Sequence, residues 1–293
     1  MISSGIRQYR WKLCLIPVIL AFEASALTAQ ETNSQPTPPS SSVQSSGEPN
    51  PLDVGRFFRD EYRIWTSPFR PRNYKSPTMK KYGVPFLLIS GGLIASDRET
   101  VGLFAHTPDQ LAWSGRVSQV GASYSLVGIS GATYLLGKGI GNKHMSKTGL
   151  MGLEALAHAE MVTFGLKLMT GRERPSDNDR QGRFWKGRDS FPSGHAATSF
   201  ALATVFAYEY RDHVFVPIAA YSAAALITAS RTSARRHWPS DVFVGASIGF
   251  LLGRYVYKNH HDPALPGGPP VKTSRLIPSF AFGAGAATVH WSF

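Results

Sequence analysis

The chain has 293 residues, 43% of them hydrophobic, a net charge of +12 and a single cysteine, Cys14. That length gives one domain of ordinary to large size with a sizeable core, and one cysteine excludes a disulfide framework and Cys-ligated zinc. The charge is concentrated in arginines between Lys167 and Arg236, interleaved with Gly, Pro and His; this suits compact oxyanions, and no nucleic-acid module signature accompanies it.

Residues 1–29 carry Arg7, Arg10 and Lys12, then LCLIPVILAF, then small residues around Ala24–Ala26. The order reads as a secretory signal peptide, with an uncleaved anchor as the competing reading. Residues 30–50 are Ser, Pro, Gln and Thr and read as a disordered linker. Residues 51–83, with FFRDEYRIWTSPFRPR, form an N-terminal arm that lies on a membrane surface or packs over the main domain.

The main domain is expected over 84–260. Six apolar stretches, 84–96, 117–137, 148–170, 194–210, 214–231 and 240–257, show no sustained period of two, so helices are predicted. Short connections make an all-α six-helix bundle. Several stretches are short for a span, and Glu154, His158, Glu160 and Lys167 are costly in lipid. A mean hydropathy of −0.13 also favours a soluble or peripheral bundle over an integral one. Residues 261–293 hold a Pro/Gly linker and a strand-like tail in which Val289, Trp291 and Phe293 alternate with His290 and Ser292.

Three segments at helix ends carry chemistry. Pro192-Ser193-Gly194-His195 precedes an apolar run; Ser193 is an N-cap, Gly194 admits close approach, and the helix start favours an anion that His195 also reaches. In Ser230–Asp241, His237 and Asp241 are four apart, so the carboxylate can fix the imidazole tautomer and stabilise its protonated form. That is what a nucleophilic His requires. Lys167, Arg174 and Arg231 supply three cations for one tetrahedral oxyanion, the electrostatic need of phosphoryl transfer. Each segment alone also fits a capped turn or a solvated basic face.

Together, the segments resemble the type 2 phosphatidic acid phosphatase (PAP2) and vanadium haloperoxidase superfamily, whose pattern is K-x6-RP, PSGH and SR-x5-H-x3-D. The sequence has Lys167 and Arg174-Pro175, then Pro192–His195 unchanged, then Ser230-Arg231, His237 and Asp241 at that spacing. The resemblance implies a six-helix core and a metal-independent phosphatase with no cofactor. His237 would be the nucleophile forming a phosphohistidine, Asp241 its orienting partner, and His195 the general acid and then base. Lys167, Arg174, Ser193, Gly194 and Arg231 would cradle the phosphate. Implied substrates are phosphorylated lipids or small phosphoesters, met at a membrane surface outside the cytoplasm. A non-specific acid phosphatase and a vanadate-dependent haloperoxidase are the alternatives, although the haloperoxidases' extra helical domain is lacking. Outside the motifs, Glu160 and Lys167 are seven apart and share a helix face, which fits a pair that orients Lys167 or a structural polar cluster. Arg172, Arg183, Lys186, Arg188, Arg235 and Arg236 are expected on the rim, and the loop 176–190 either covers the site, touches the substrate's apolar part or is a plain surface loop.

Overall fold

The computed structural model describes residues 54–74, 77, 79–103, 107–177, 181–262, 264–265, 279–283 and 286–290. The expected signal, the Ser/Pro linker, most of the 261–278 linker, Trp291 and Phe293 lie outside the described residues.

The architecture is helical: α1 (Val54–Thr66), α2 (Val84–Gly102), α3 (Pro108–Val120), α4 (Ser123–Gly139), α5 (Lys143–Thr170), α6 (Gly194–Glu209), α7 (Phe215–Ser233) and α8 (Pro239–His260). A 3-10 turn at Ser67–Phe69 and a π turn at Met79–Gly83 join α1 to α2. The predicted stretch 117–137 is two helices. The chain breaks at Gly121, where a Cβ would sit 2.0 Å from Ile227 Cγ2, and Thr107 caps α3 by accepting from Gln110 N–H. The tail is a hairpin of β1 (Ser279–Gly283) on β2 (Ala286–His290), antiparallel, with Ser279 opposite His290.

The core is the packing of α6 against α8. Gly245, Gly249 and Gly253 recur every fourth residue down one side of α8. A Cβ on them would come 2.4, 2.0 and 2.4 Å from the carbonyl oxygens of Ser193, Ala197 and Ala201. The matched rise along both chains makes the two helices parallel, and the missing side chains let the backbones touch. Both N-termini therefore emerge at one end of the bundle. Ser193 N–H donates to Asp241 O at 2.9 Å and ties those ends together. Helices α4 and α5 approach as closely but antiparallel, Gly149 against Tyr134 and Gly152 against Ser130. Buried Thr163, Thr198 and Thr204 satisfy their hydroxyls on the carbonyl four residues back, at 2.7, 3.0 and 2.7 Å.

Helix α1 packs on the bundle. Asp60, Glu61 and Ile64 face inward while Phe58 and Tyr62 stay exposed, a 3.6-residue pattern. Trp65 lies over Gly165 of α5, where a Cβ would meet its ring at 2.6 Å. Among the described residues no helix is long and apolar enough to cross a membrane.

Candidate active site

Helix α5 delivers the first motif. It ends at Gly171, left-handed at φ 53°, where a Cβ would press on Gly187 N at 3.0 Å. Lys167 is in the last turn, and its Nζ would lie 3.6 Å from a Cβ built on Gly194. The ammonium thus rests against the bare backbone at the start of α6. Burial lowers the Lys167 pKa, Asp189 opposes this, and Arg174 reinforces it. The expected Glu160 partner acts on Lys167 through space, while Glu160 itself accepts from Ser123 Oγ.

The second motif opens α6. Ser193 is fully buried as N-cap, and its Oγ accepts from Ala196 N–H. His195 follows in the first turn, within electrostatic reach of Arg231, His237, Lys167 and Arg174. Burial first, then those cations, pushes its pKa down to about 3. The ring is therefore neutral in the free protein at ordinary pH.

The third motif joins α7 to α8 through a turn in which Arg235 is left-handed at φ 56°. Arg231 donates to Ser118 Oγ of α3, and burial lowers its pKa to about 10. His237 is 2% exposed. Its Nδ1 donates to the Ser190 carbonyl at 2.7 Å, while Asp241 Oδ2 stands 3.7 Å away. A carbonyl only accepts, so Nδ1 carries the proton and Nε2 keeps its lone pair. Burial lowers the His237 pKa despite the neighbouring Asp241 charge. The expectation that Asp241 grips the imidazole directly is thus modified. Asp241 lies at ion-pair distance, and the hydrogen bond belongs to Ser190.

Asp241 has other partners. Its Oδ1 accepts from Arg172 Nη1 at 2.6 Å. Its Oδ2 accepts from Ser190 Oγ and, at 2.9 Å, from Trp238 N–H, which closes the first turn of α8. Burial works to raise this carboxyl, but His237, Arg172 and Ser190 outweigh it and hold it below its ordinary value.

Arg172 corrects the sequence reading. Expected on the rim, it is 2% exposed and sits between two acids. Its Nη2 meets Asp97 of α2 at 2.7 Å and its Nη1 meets Asp241. The guanidinium packs on Phe184 at 4.7 Å and Trp238 at 5.4 Å. Asp97 closes the network by accepting from Ser240 N–H at 3.0 Å. Asp97, Arg172 and Ser190 fall outside the defining positions of the three motif patterns. Their only sequence signals are an acid ending an apolar stretch and polar residues beside motifs.

The remaining rim residues divide. Arg183 binds Glu173 at 3.1 Å, Arg188 approaches Asp177 at 4.0 Å, and Lys186 and Arg236 are exposed. The loop closes back on the first motif: Trp185 N–H donates to Thr170 O at 2.7 Å and Ser190 N–H to Arg172 O at 3.0 Å. Arg174 makes a forked pair with Asp189, Nε to Oδ1 at 2.9 Å and Nη2 to Oδ2 at 2.7 Å.

All eight motif residues named from the sequence thus meet at one end of the bundle: three cations, two imidazoles, a helix N-terminus with its cap, and one buried carboxylate. The PAP2 superfamily model matches residues 149–263. Lipid A 1-phosphatase of Porphyromonas gingivalis is 37% identical over 126 residues, 41% of this chain and 26% of that protein. Lipid phosphate phosphatase 1 of Arabidopsis thaliana is 29% identical over 150 residues, 40% of this chain and 45% of that one. The chain spans less than half the length of these two relatives. A solved transmembrane PAP2-type phosphatidylglycerolphosphate phosphatase from Bacillus subtilis aligns at a TM-score of 0.41 and 20% identity, covering 70% of this chain and 93% of that one. Residues 149–263, over which the chain is similar to the PAP2 superfamily, hold all three motifs.

Proposed function

We propose that the protein hydrolyses phosphate monoesters or diphosphates on a lipid carrier, without metal, through a phosphohistidine intermediate. The observation that carries this reading is the commitment of the His237 Nδ1 proton to Ser190 O, which leaves Nε2 as a neutral nucleophile among cations.

In the first step Nε2 attacks phosphorus as the bond to the leaving oxygen breaks. Lys167, Arg174, Arg231 and the α6 N-terminus take up the charge on the three other oxygens. The imidazole becomes cationic as it bonds to phosphorus, and the Asp241 carboxylate at 3.7 Å stabilises it. His195 protonates the leaving alcohol or phosphate. His195 is neutral in the free protein, so the proton it donates is taken up from solvent as the arriving phosphate dianion raises its pKa, or comes with a monoanionic substrate. In the second step neutral His195 takes a proton from water, the hydroxide displaces His237 from phosphorus, and inorganic phosphate leaves.

Two relatives named for lipid phosphates support the lipid carrier. So does an apolar cavity of about 380 Å³ lined by Tyr82, Phe86, Phe200, Phe243 and Phe250, with Phe243 two residues beyond Asp241. Phe215 and Ile218 of α7 and Leu168 of α5 are exposed, which supports work at a membrane surface. The basic and apolar composition of residues 1–29 supports a place outside the cytoplasm.

The test is a substrate panel in EDTA with phosphatidate, an isoprenoid diphosphate, lipid A and p-nitrophenyl phosphate, together with His237→Ala. Turnover of lipid phosphates that disappears in the variant is expected. Turnover of the soluble ester alone would favour the acid phosphatase reading. Halide oxidation after vanadate loading, without turnover, would favour the peroxidase.

A further inference from the structure

A second polar cluster lies outside the phosphatase site, where α1 crosses α5 and α8. Asp60 comes from α1, Glu154 and His158 from α5, and His260 from the end of α8. Asp60, Glu154 and His158 each bring one ligand atom to within 4.8 Å of the others, and no other such trio occurs among the described residues.

Asp60 and His158 are 2% and 0% exposed. Glu61 accepts from His158 Nδ1 at 2.6 Å, which fixes the proton on that nitrogen. The other nitrogen, Nε2, is buried with no hydrogen-bond partner. A buried imidazole lone pair with a carboxylate behind its other nitrogen is the arrangement that orients metal-ligating histidines and makes them more basic. Tyr255 donates to Asp60 Oδ1 at 2.7 Å, which leaves Oδ2 facing the cluster. His260 adjoins both acids, with Nε2 at 3.0 Å from Asp60 Oδ2 and Nδ1 at 2.8 Å from Glu154 Oε2. Arg56 touches Glu154 at 3.3 Å and Arg63 lies 3.7 Å from Asp60, both from the more exposed edge.

We propose that Asp60, Glu154 and His158, with His260 adjoining, form a site for one divalent transition-metal ion of the zinc type, which pins α1 to the bundle. Imidazole with carboxylate oxygen suits zinc and its neighbours and not magnesium or calcium, which take oxygen donors. The role is structural. The residues are spread over three helices and are separate from the residues around His237, so chemistry at phosphorus does not depend on them. The orphaned Nε2 of His158 gains a partner.

The test uses the full, untagged chain, stripped with EDTA and exchanged into metal-free buffer. ZnCl2 is titrated against a chromophoric chelator, and melting is followed with and without the ion. Saturation at one Zn2+ per chain is expected, with a melting temperature that rises with Zn2+ concentration and does not move with Mg2+. Glu61→Gln is expected to weaken binding about 10- to 100-fold, as loss of a supporting hydrogen bond does, and His158→Gln at least as much. Absence of saturable binding, or unchanged affinity in His158→Gln, overturns the site. If His158→Gln does not fold, Co2+ is loaded into the unaltered protein. Visible d–d absorption of a low-symmetry nitrogen and oxygen site supports the proposal, and the spectrum of hydrated Co2+ overturns it.

Discussion

Ser190 holds both members of the His237 and Asp241 pair: its carbonyl accepts from His237 Nδ1 at 2.7 Å and its hydroxyl donates to Asp241 Oδ2. The tautomer is thereby set by backbone, and the carboxylate is left to act by charge. Asp241→Asn should keep Nδ1 protonated and Nε2 bare, and 15N shifts of His237 read this directly. Turnover should fall even so, because the proposed cationic phosphohistidine would lose its counter-charge. A switch of tautomer in the variant would return the orienting role to Asp241.

Arg172 bridges Asp97 and Asp241 in the interior. Arg172→Leu removes one charge and strands two. Breaking such a pair costs about 3–5 kcal/mol, so the midpoint of chemical denaturation should fall strongly. Arg172→Lys should recover little, because one ammonium cannot reach both acids while stacking between Phe184 and Trp238.

His195 should link binding and stability to protons. Its folded pKa of about 3 lies below its ordinary value of 6.5. The unfolded chain therefore binds the extra proton between those values, and this group's contribution to stability is lost as pH falls from about 6.5 toward 3. His195→Gln should flatten that part of the acid limb of a melting series. Phosphate binding near pH 6 should take up protons in the unaltered protein and less in the variant, measured by calorimetry in buffers of different ionisation enthalpy.

Asp189 occupies the Arg174 fork that a phosphate would need. Asp189 is 60% exposed, so its pair adds little stability. Asp189→Asn should lower KM several-fold, with the melting temperature nearly constant. A higher KM would mean that Asp189 instead aims Arg174 at the substrate.

Gly249→Ala puts a Cβ 2.0 Å from Ala197 O, a backbone atom. The helices must part, at a cost of about 1–3 kcal/mol or more. The shift also moves the start of α8 relative to α6, so turnover should fall together with stability. A variant as stable as the parent would show that the parallel contact is loose.

The helical bundle was legible because apolar runs without a period of two, most of them longer than a strand, bury themselves most readily as helices. The break between α3 and α4 was not. Nothing in GASYSLVG marks Gly121 as the point where a side chain would strike Ile227, more than a hundred residues later. The motif residues stood out through the three segments together and their resemblance to a family pattern, each segment alone being ambiguous. The same sequence put Arg172 on the surface, since a lone Arg beside Gly and Glu reads as solvated.

The sequence by itself determined the helical class and the Ser193 cap, and singled out the three cations and two histidines as candidates, because these depend on local spacing and side-chain type. Only the tertiary structure decided that α6 and α8 run parallel, that Ser190 rather than Asp241 takes the imidazole proton, and that Arg172 belongs to Asp97 and Asp241. It also decided that α1 meets His158 and His260 with its acids. Each of these joins groups on separate helices. Burial strips away their water and leaves each buried charge or donor to find its partner wherever the packing brings one.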